Sequence, residues 1–162
     1  MVSGAVPPTF LFRCGDASDR CPAGLTSRYA CPILIAMSAS KPSKITAQMV
    51  SVWRDDSLAG VALAEREDSS GWNLVFERSF AFTDADRKAG QDTYCITNEA
   101  GVAVYGGIKS WSISGAVLTL GLGDKAAGEL GLAAETTVAL SFPAASVTEL
   151  ETALKSILAP TA

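Results

Sequence analysis

From Ile45 onward, apolar and polar residues alternate with a period of two along much of the chain. That period marks half-buried strands. Ile45 to Trp53 reads as one strand through Ile45, Ala47 and Met49, with a slip in phase before Val52 and Trp53. Arg54-Asp55-Asp56-Ser57 predicts a polar turn. Leu58 to Arg66 alternates next, with Val61, Leu63 and Glu65 on one face. After the turn signal Asp68-Ser69-Ser70-Gly71, Trp72 to Phe82 returns with Trp72, Leu74 and Phe76 on one face, which completes a hairpin.

Thr83 to Gly90 predicts a short helical turn. Thr83 is its cap, Asp84 and Asp86 sit near its positive end, and Gly90 stops it. A meander follows, with strands over Thr93 to Asn98, Val102 to Tyr105, Ile108 to Ser114 and Val117 to Leu122. Gly106-Gly107 interrupts it where a bulge or tight turn is expected, since glycine tolerates positive φ and close backbone approach. Asp124 to Leu130 reads as a helix capped by Asp124 and ended by Gly131, with Ala126, Ala127 and Leu130 inward. Glu135 to Phe142 is a strand with Thr136, Val138 and Leu140 on one face. Ser146 to Leu158 is the clearest helix. Ser146 and Glu149 form a capping-box pattern, and Val147, Leu150, Leu154, Ile157 and Leu158 form an apolar stripe. The sum is an α+β fold: an antiparallel sheet of about seven strands, made of an N-terminal hairpin and a central meander, with the C-terminal helix on one face.

The first 36 residues break this order. Met1 to Ala36 carries Pro7-Pro8, Pro22 and Pro32 and sustains no repeat. Its apolar run, Ile33 to Met37, is far short of the ~20 residues of a membrane span. The chain is therefore read as residues 1–44, a disordered leader or a start-site artefact ahead of Met37, and residues 45–159, a single domain. Removing the first 36 residues takes away three arginines and two aspartates, so the remainder is slightly more acidic than the whole.

Composition narrows the chemistry. The 162 residues are 48% hydrophobic, enough for a real core. A net charge of −4 argues against a nucleic-acid partner. Histidine is absent, which removes Ser-His-Asp and Cys-His catalysis and His-ligated zinc. Cys14, Cys21, Cys31 and Cys95 form no C-x-x-C pair, and three of the four sit in the first 31 residues, so they are read as free thiols of a cytoplasmic protein. Cys95, mid-strand with no histidine to activate it, reads as a small core residue. The pairs Asp55-Asp56, Asp84/Asp86 and Glu65/Glu67 read as solvated charge. Gly121-x-Gly123 lacks the context of a phosphate-binding loop. No cofactor and no metal site is expected. Trp53, Trp72, Trp111, Tyr94 and Tyr105 read first as packing residues, and as interface anchors if any faces outward.

The stretch Gly90 to Trp111 carries an ordered set of features. Asp92, Tyr94 and Cys95 lie on one strand, and Tyr105-Gly106-Gly107 forms the next hairpin. Leu118 and Leu120 mark a leucine-rich strand, and an Ala-rich helix ends in Leu130-Gly131-Leu132. A final strand and helix close the order, from about Trp53 to Leu158. This set resembles the immunity protein 10 family of bacterial polymorphic toxin systems. The resemblance implies a small cytoplasmic binding protein, not an enzyme, that neutralises a cognate toxin domain. An acidic surface suits a basic toxin by complementarity. The toxin-binding residues expected on that basis are Tyr94, Tyr105 and Trp111, with Asp55, Asp56, Asp84 and Asp86. A small-ligand-binding module, with Trp72 or Trp111 lining an apolar cavity between sheet and helix, and a carboxylate- or thiol-dependent enzyme are the alternative readings.

Overall fold

A computed structural model describes residues 41–68 and 70–160. The leader reading, with Cys14, Cys21 and Cys31, falls outside the described residues up to position 40. Pro42 and Ser43 already join the body: their carbonyls accept the N–H of Ala133 and of Thr137.

The slip seen between Ile45 and Trp53 is a change of sheet. Strand β1 (Lys44–Ala47) ends at Ala47, and β2 (Met49–Arg54) begins after the single residue Gln48. β1 pairs in parallel with β9 (Glu135–Leu140), whereas β2 pairs antiparallel with β3 (Leu58–Ala64). A one-residue change of phase turns the opposite set of side chains inward. Ala47 is fully buried, Met49 is 38% exposed, and Val50 and Val52 then pack on the core.

β2 and β3 continue through β4 (Asn73–Ser79), β5 (Cys95–Asn98) and β6 (Ala103–Tyr105) as a five-stranded antiparallel sheet in sequence order. β7 (Ile108–Ser114) and β8 (Val117–Leu122) join β9 and β1 in a four-stranded sheet ordered β1-β9-β8-β7. The α+β class and the C-terminal helix are as the sequence predicts. Among the described residues the strands number nine rather than about seven, and they divide between two sheets. The meander breaks between β6 and β7, because Gly106 and Gly107 adopt φ of 67° and 92° and carry the chain from one sheet to the other.

Both sheets turn their apolar rows inward. Val52, Val61, Phe76, Ile96 and Val104 are register partners across the five-stranded sheet. Ile113, Leu118, Val138 and Ile45 are partners across the other. Helix α3 (Ala144–Ile157) packs against β2, β3 and β4 and buries Leu150, Leu154 and Ile157 completely. Each such side chain contributes about 1.5–3 kcal/mol of burial. The helix starts two residues earlier than its serine suggests. The Pro143 carbonyl accepts the N–H of Ser146 and Val147, so Ser146 and Glu149 lie inside the first turns and form no capping box. Arg78 closes the other end by donating to the carbonyls of Ile157 and Ala159.

The two short helices follow their sequence signals closely. In α1 (Asp84–Ala89), Thr83 and Asp86 form a reciprocal capping box and Gly90 is a left-handed stop. In α2 (Asp124–Leu130), Ala126, Ala127 and Leu130 are buried and Gly131 is the left-handed stop. Gly123, not Asp124, is its N-cap residue. Asp124 sits in the first turn, where its charge faces the positive helix end.

Candidate functional site

The residues expected to meet a toxin are placed in three different settings. Tyr94 is 9% exposed. Its hydroxyl accepts the Ile108 N–H at 2.9 Å and its carbonyl accepts the Gly106 N–H at 2.8 Å. It therefore clamps the crossover between the sheets from both sides of the glycine pair. Burial pushes the Tyr94 phenol up, and the hydrogen bond from Ile108 opposes that shift. Trp111 pairs with Leu120 on the inward side of β7 and is half-buried against the core. Tyr105 differs from both. It pairs with Cys95 at the end of β6, on the outward face of the five-stranded sheet, and is half-buried there.

The four aspartates lie in two segments at one end of that sheet, which also carry Arg54, Arg87 and Lys88. Asp55 and Asp56 form the β2–β3 turn. The Asp55 carboxylate accepts the N–H of Ser57 at 2.7 Å, the N–H of Leu58 at 2.8 Å and the Ser57 hydroxyl at 2.7 Å. These hydrogen bonds, the Ser57 hydroxyl foremost, hold its pKa below the usual aspartate value. The Ser57 carbonyl accepts the Phe80 N–H, which ties this turn to the segment leading into α1. Asp86 accepts the N–H and hydroxyl of Thr83, and both bonds lower its pKa, the backbone one more. Asp84 pairs with Arg87 at 3.0 Å. Asp55 and Asp86 already hold local turns, so what they offer a partner is negative charge more than open acceptors.

The outward face between these groups joins two of the strand aromatics, Trp53 and Tyr105, to a carboxylate, Glu77, that the sequence does not mark as a site. Trp53, Gly60, Glu77, Cys95 and Tyr105 are register partners across all five strands. With strands about 4.8 Å apart, this row spans about 19 Å. A side chain at Gly60 would collide with the Trp53 indole, so glycine is what lets that ring lie down on the sheet. Glu77 is half-buried in the row, and burial alone raises its pKa. On the opposite, helix-bearing side, Arg54 donates to the Ser156 hydroxyl of α3 at 3.3 Å, and its guanidinium sits 4.6 Å from the centre of the Phe80 ring, which is 42% exposed. The signal for this row is the alternation in β2 and β4, but only the register shows which faces align.

Other chemistry has little to build on. Among the described residues, no group of three or more Asp, Glu, Cys or His side chains is placed to hold a metal ion. Cys95 is 7% exposed, and its sulfur lies 3.8 Å from the Thr97 hydroxyl. An open groove of about 490 Å³ runs between β2 and α3, lined by Val52, Ala59, Thr148, Glu149 and Ala153 among others. Its polar lining is Arg54, Thr148, Glu149, Thr152 and Ser156, and the Arg54 guanidinium already donates to the Ser156 hydroxyl at 3.3 Å. No helix among the described residues is long and apolar enough to cross a membrane.

A protein-family model described as Immunity protein 10 matches residues 46–148. Comparison with curated proteins and with solved structures gave no match. The family match runs from β1 into the first turn of α3 and covers more than half of the chain. The chain belongs to the immunity protein 10 family.

Proposed function

We propose that this immunity protein neutralises a cognate toxin domain by binding it directly, through the outward face of the five-stranded sheet and its acidic end. The family match carries the reading, since an immunity protein implies a toxin to be countered. The outward face of the five-stranded sheet is the surface that fits. It presents Trp53 and Tyr105 on a sheet row, with Asp55, Asp56, Asp84 and Asp86 at the adjoining end. Half-buried aromatic residues bordered by charge have the composition of interface cores. Of the residues expected from sequence, Tyr105 and the four aspartates belong to this surface. Tyr94 and Trp111 act indirectly, by holding the crossover and the edge strand that support it.

The acidic end favours a basic toxin, such as a nuclease, and would speed its capture by electrostatic steering. Neutralisation then needs no chemistry from this chain, only occupation of the toxin's active site or of the path to it. The same reading places the protein in the cytoplasm of a bacterium with a polymorphic toxin system. Co-expression of the chain with the toxin domain encoded beside it tests this reading. Protected cells and a stable co-purified complex are expected. Unprotected cells with a well-folded chain would refute it.

A further inference from the structure

We infer that Glu77 receives an arginine side chain of the toxin, with the guanidinium lying against the Trp53 indole. This rests on the toxin-binding reading and adds the contact at its centre. Counted by register, every other outward position on the five strands is uncharged. Glu77 is thus the single charge on a face otherwise built of small, apolar and hydroxyl side chains. Its register neighbours are Gly60 and Cys95, neither of them cationic. Among the described residues the Glu77 carboxylate makes no hydrogen bond and no ion pair.

A half-buried carboxylate without a cation is a cost in the free protein. A partner that supplies the cation removes that cost at the moment of binding. The indole lies over Gly60, one strand from Glu77 and on the same face, so a cation approaching the carboxylate passes the ring. That juxtaposition selects arginine over lysine. A guanidinium is planar, stacks on aromatic rings, sheds water more readily and meets a carboxylate with two parallel hydrogen bonds. The raised pKa of Glu77 is the expected mark of a carboxylate that lacks its partner in the free state.

Titration calorimetry of the full chain against the adjoining toxin domain, inactivated in its own active site, tests the inference. Glu77→Gln is expected to raise Kd by about tenfold or more. Its melting temperature should equal or exceed that of the unsubstituted chain, because a desolvated charge has been removed. Glu135→Gln, on the outward face of the other sheet, is expected to leave Kd unchanged. Replacing the toxin's arginines one at a time by lysine should identify one whose loss is not additive with Glu77→Gln. A Kd for Glu77→Gln within twofold of the original, or full additivity for every arginine, overturns the contact while toxin binding stands. Failure of the unsubstituted chain to bind overturns the neutralisation reading itself, and this contact with it.

Discussion

The crossover at Gly106-Gly107 is the joint on which the two-sheet arrangement depends, and its two glycines differ in a measurable way. Both have positive φ, where an L side chain costs roughly 1–2 kcal/mol. A Cβ on Gly106 would meet only Thr93 Cγ2 at 3.6 Å, an ordinary contact. A Cβ on Gly107 would stand 2.6 Å from Ala126 Cβ in α2. Carbon atoms pack best at about 3.5–4.0 Å, so α2 would have to withdraw by about 1 Å. Overpacking of that kind costs about 1–3 kcal/mol. Gly115 supplies the baseline, with φ of 57° and nothing within 4 Å. The expected losses are therefore about 1–2 kcal/mol for Gly115→Ala and Gly106→Ala, and about 2–5 kcal/mol for Gly107→Ala. Urea titration with linear extrapolation resolves the difference. Ala126→Gly alone should cost about 1 kcal/mol in the helix. Combined with Gly107→Ala it should recover most of the excess. Equal midpoints for Gly106→Ala and Gly107→Ala would refute the seating of α2 on the crossover.

Tyr94→Phe leaves the Ile108 N–H without its acceptor and should cost about 1–3 kcal/mol in urea titration, with toxin affinity unchanged. Thr83→Ala removes the α1 cap, worth about 1 kcal/mol, and should speed amide exchange within α1 while global stability holds, since that helix buries no residue. Leu154→Ala empties a fully buried position under the five-stranded sheet and should cost about 2–5 kcal/mol. The Glu77 pKa is raised in the folded chain, so its favourable protonation is present in full below the unfolded value near 4.5 and is lost as pH rises through the folded pKa. The melting temperature of Glu77→Gln should accordingly exceed that of the unsubstituted chain at neutral pH and converge with it below pH 4.5. A difference that does not change with pH would contradict that reading. Asp55, Asp68 and Asp86 act in the opposite sense: their contributions hold above the unfolded value of 3.8 and fade as pH falls through their lowered folded values.

Local signals in the sequence translated directly into structure. The capping box at Thr83, the left-handed stops at Gly90 and Gly131 and the stripe Leu150, Leu154, Ile157 involve residues within one or two helical turns of each other. What escaped was set by pairing at long range. The slip after Ala47 is visible as a change of phase, but the parallel partner of β1 lies some ninety residues away in β9. The glycine pair is visible as a turn, but the sequence does not say that the turn leads to a second sheet. The same holds for the site. Tyr105 and Trp111 are both strand aromatics, and only the register turns one outward and the other inward. In the sequence Trp53 is a packing residue or an outward anchor, and nothing local sets Glu77 apart. Gly60, between them in the row, makes them neighbours on an open face.

The central claim is that this immunity protein works by occupying a toxin through the outward face of its five-stranded sheet. The most direct test is protection of toxin-expressing cells by the unsubstituted chain and by Trp53→Ala with Tyr105→Ala, at matched soluble levels confirmed by thermal melts. The expected result is protection by the first and its loss in the second, with the double variant still folded. Equal protection by both, from folded protein, would contradict the claim that this face meets the toxin.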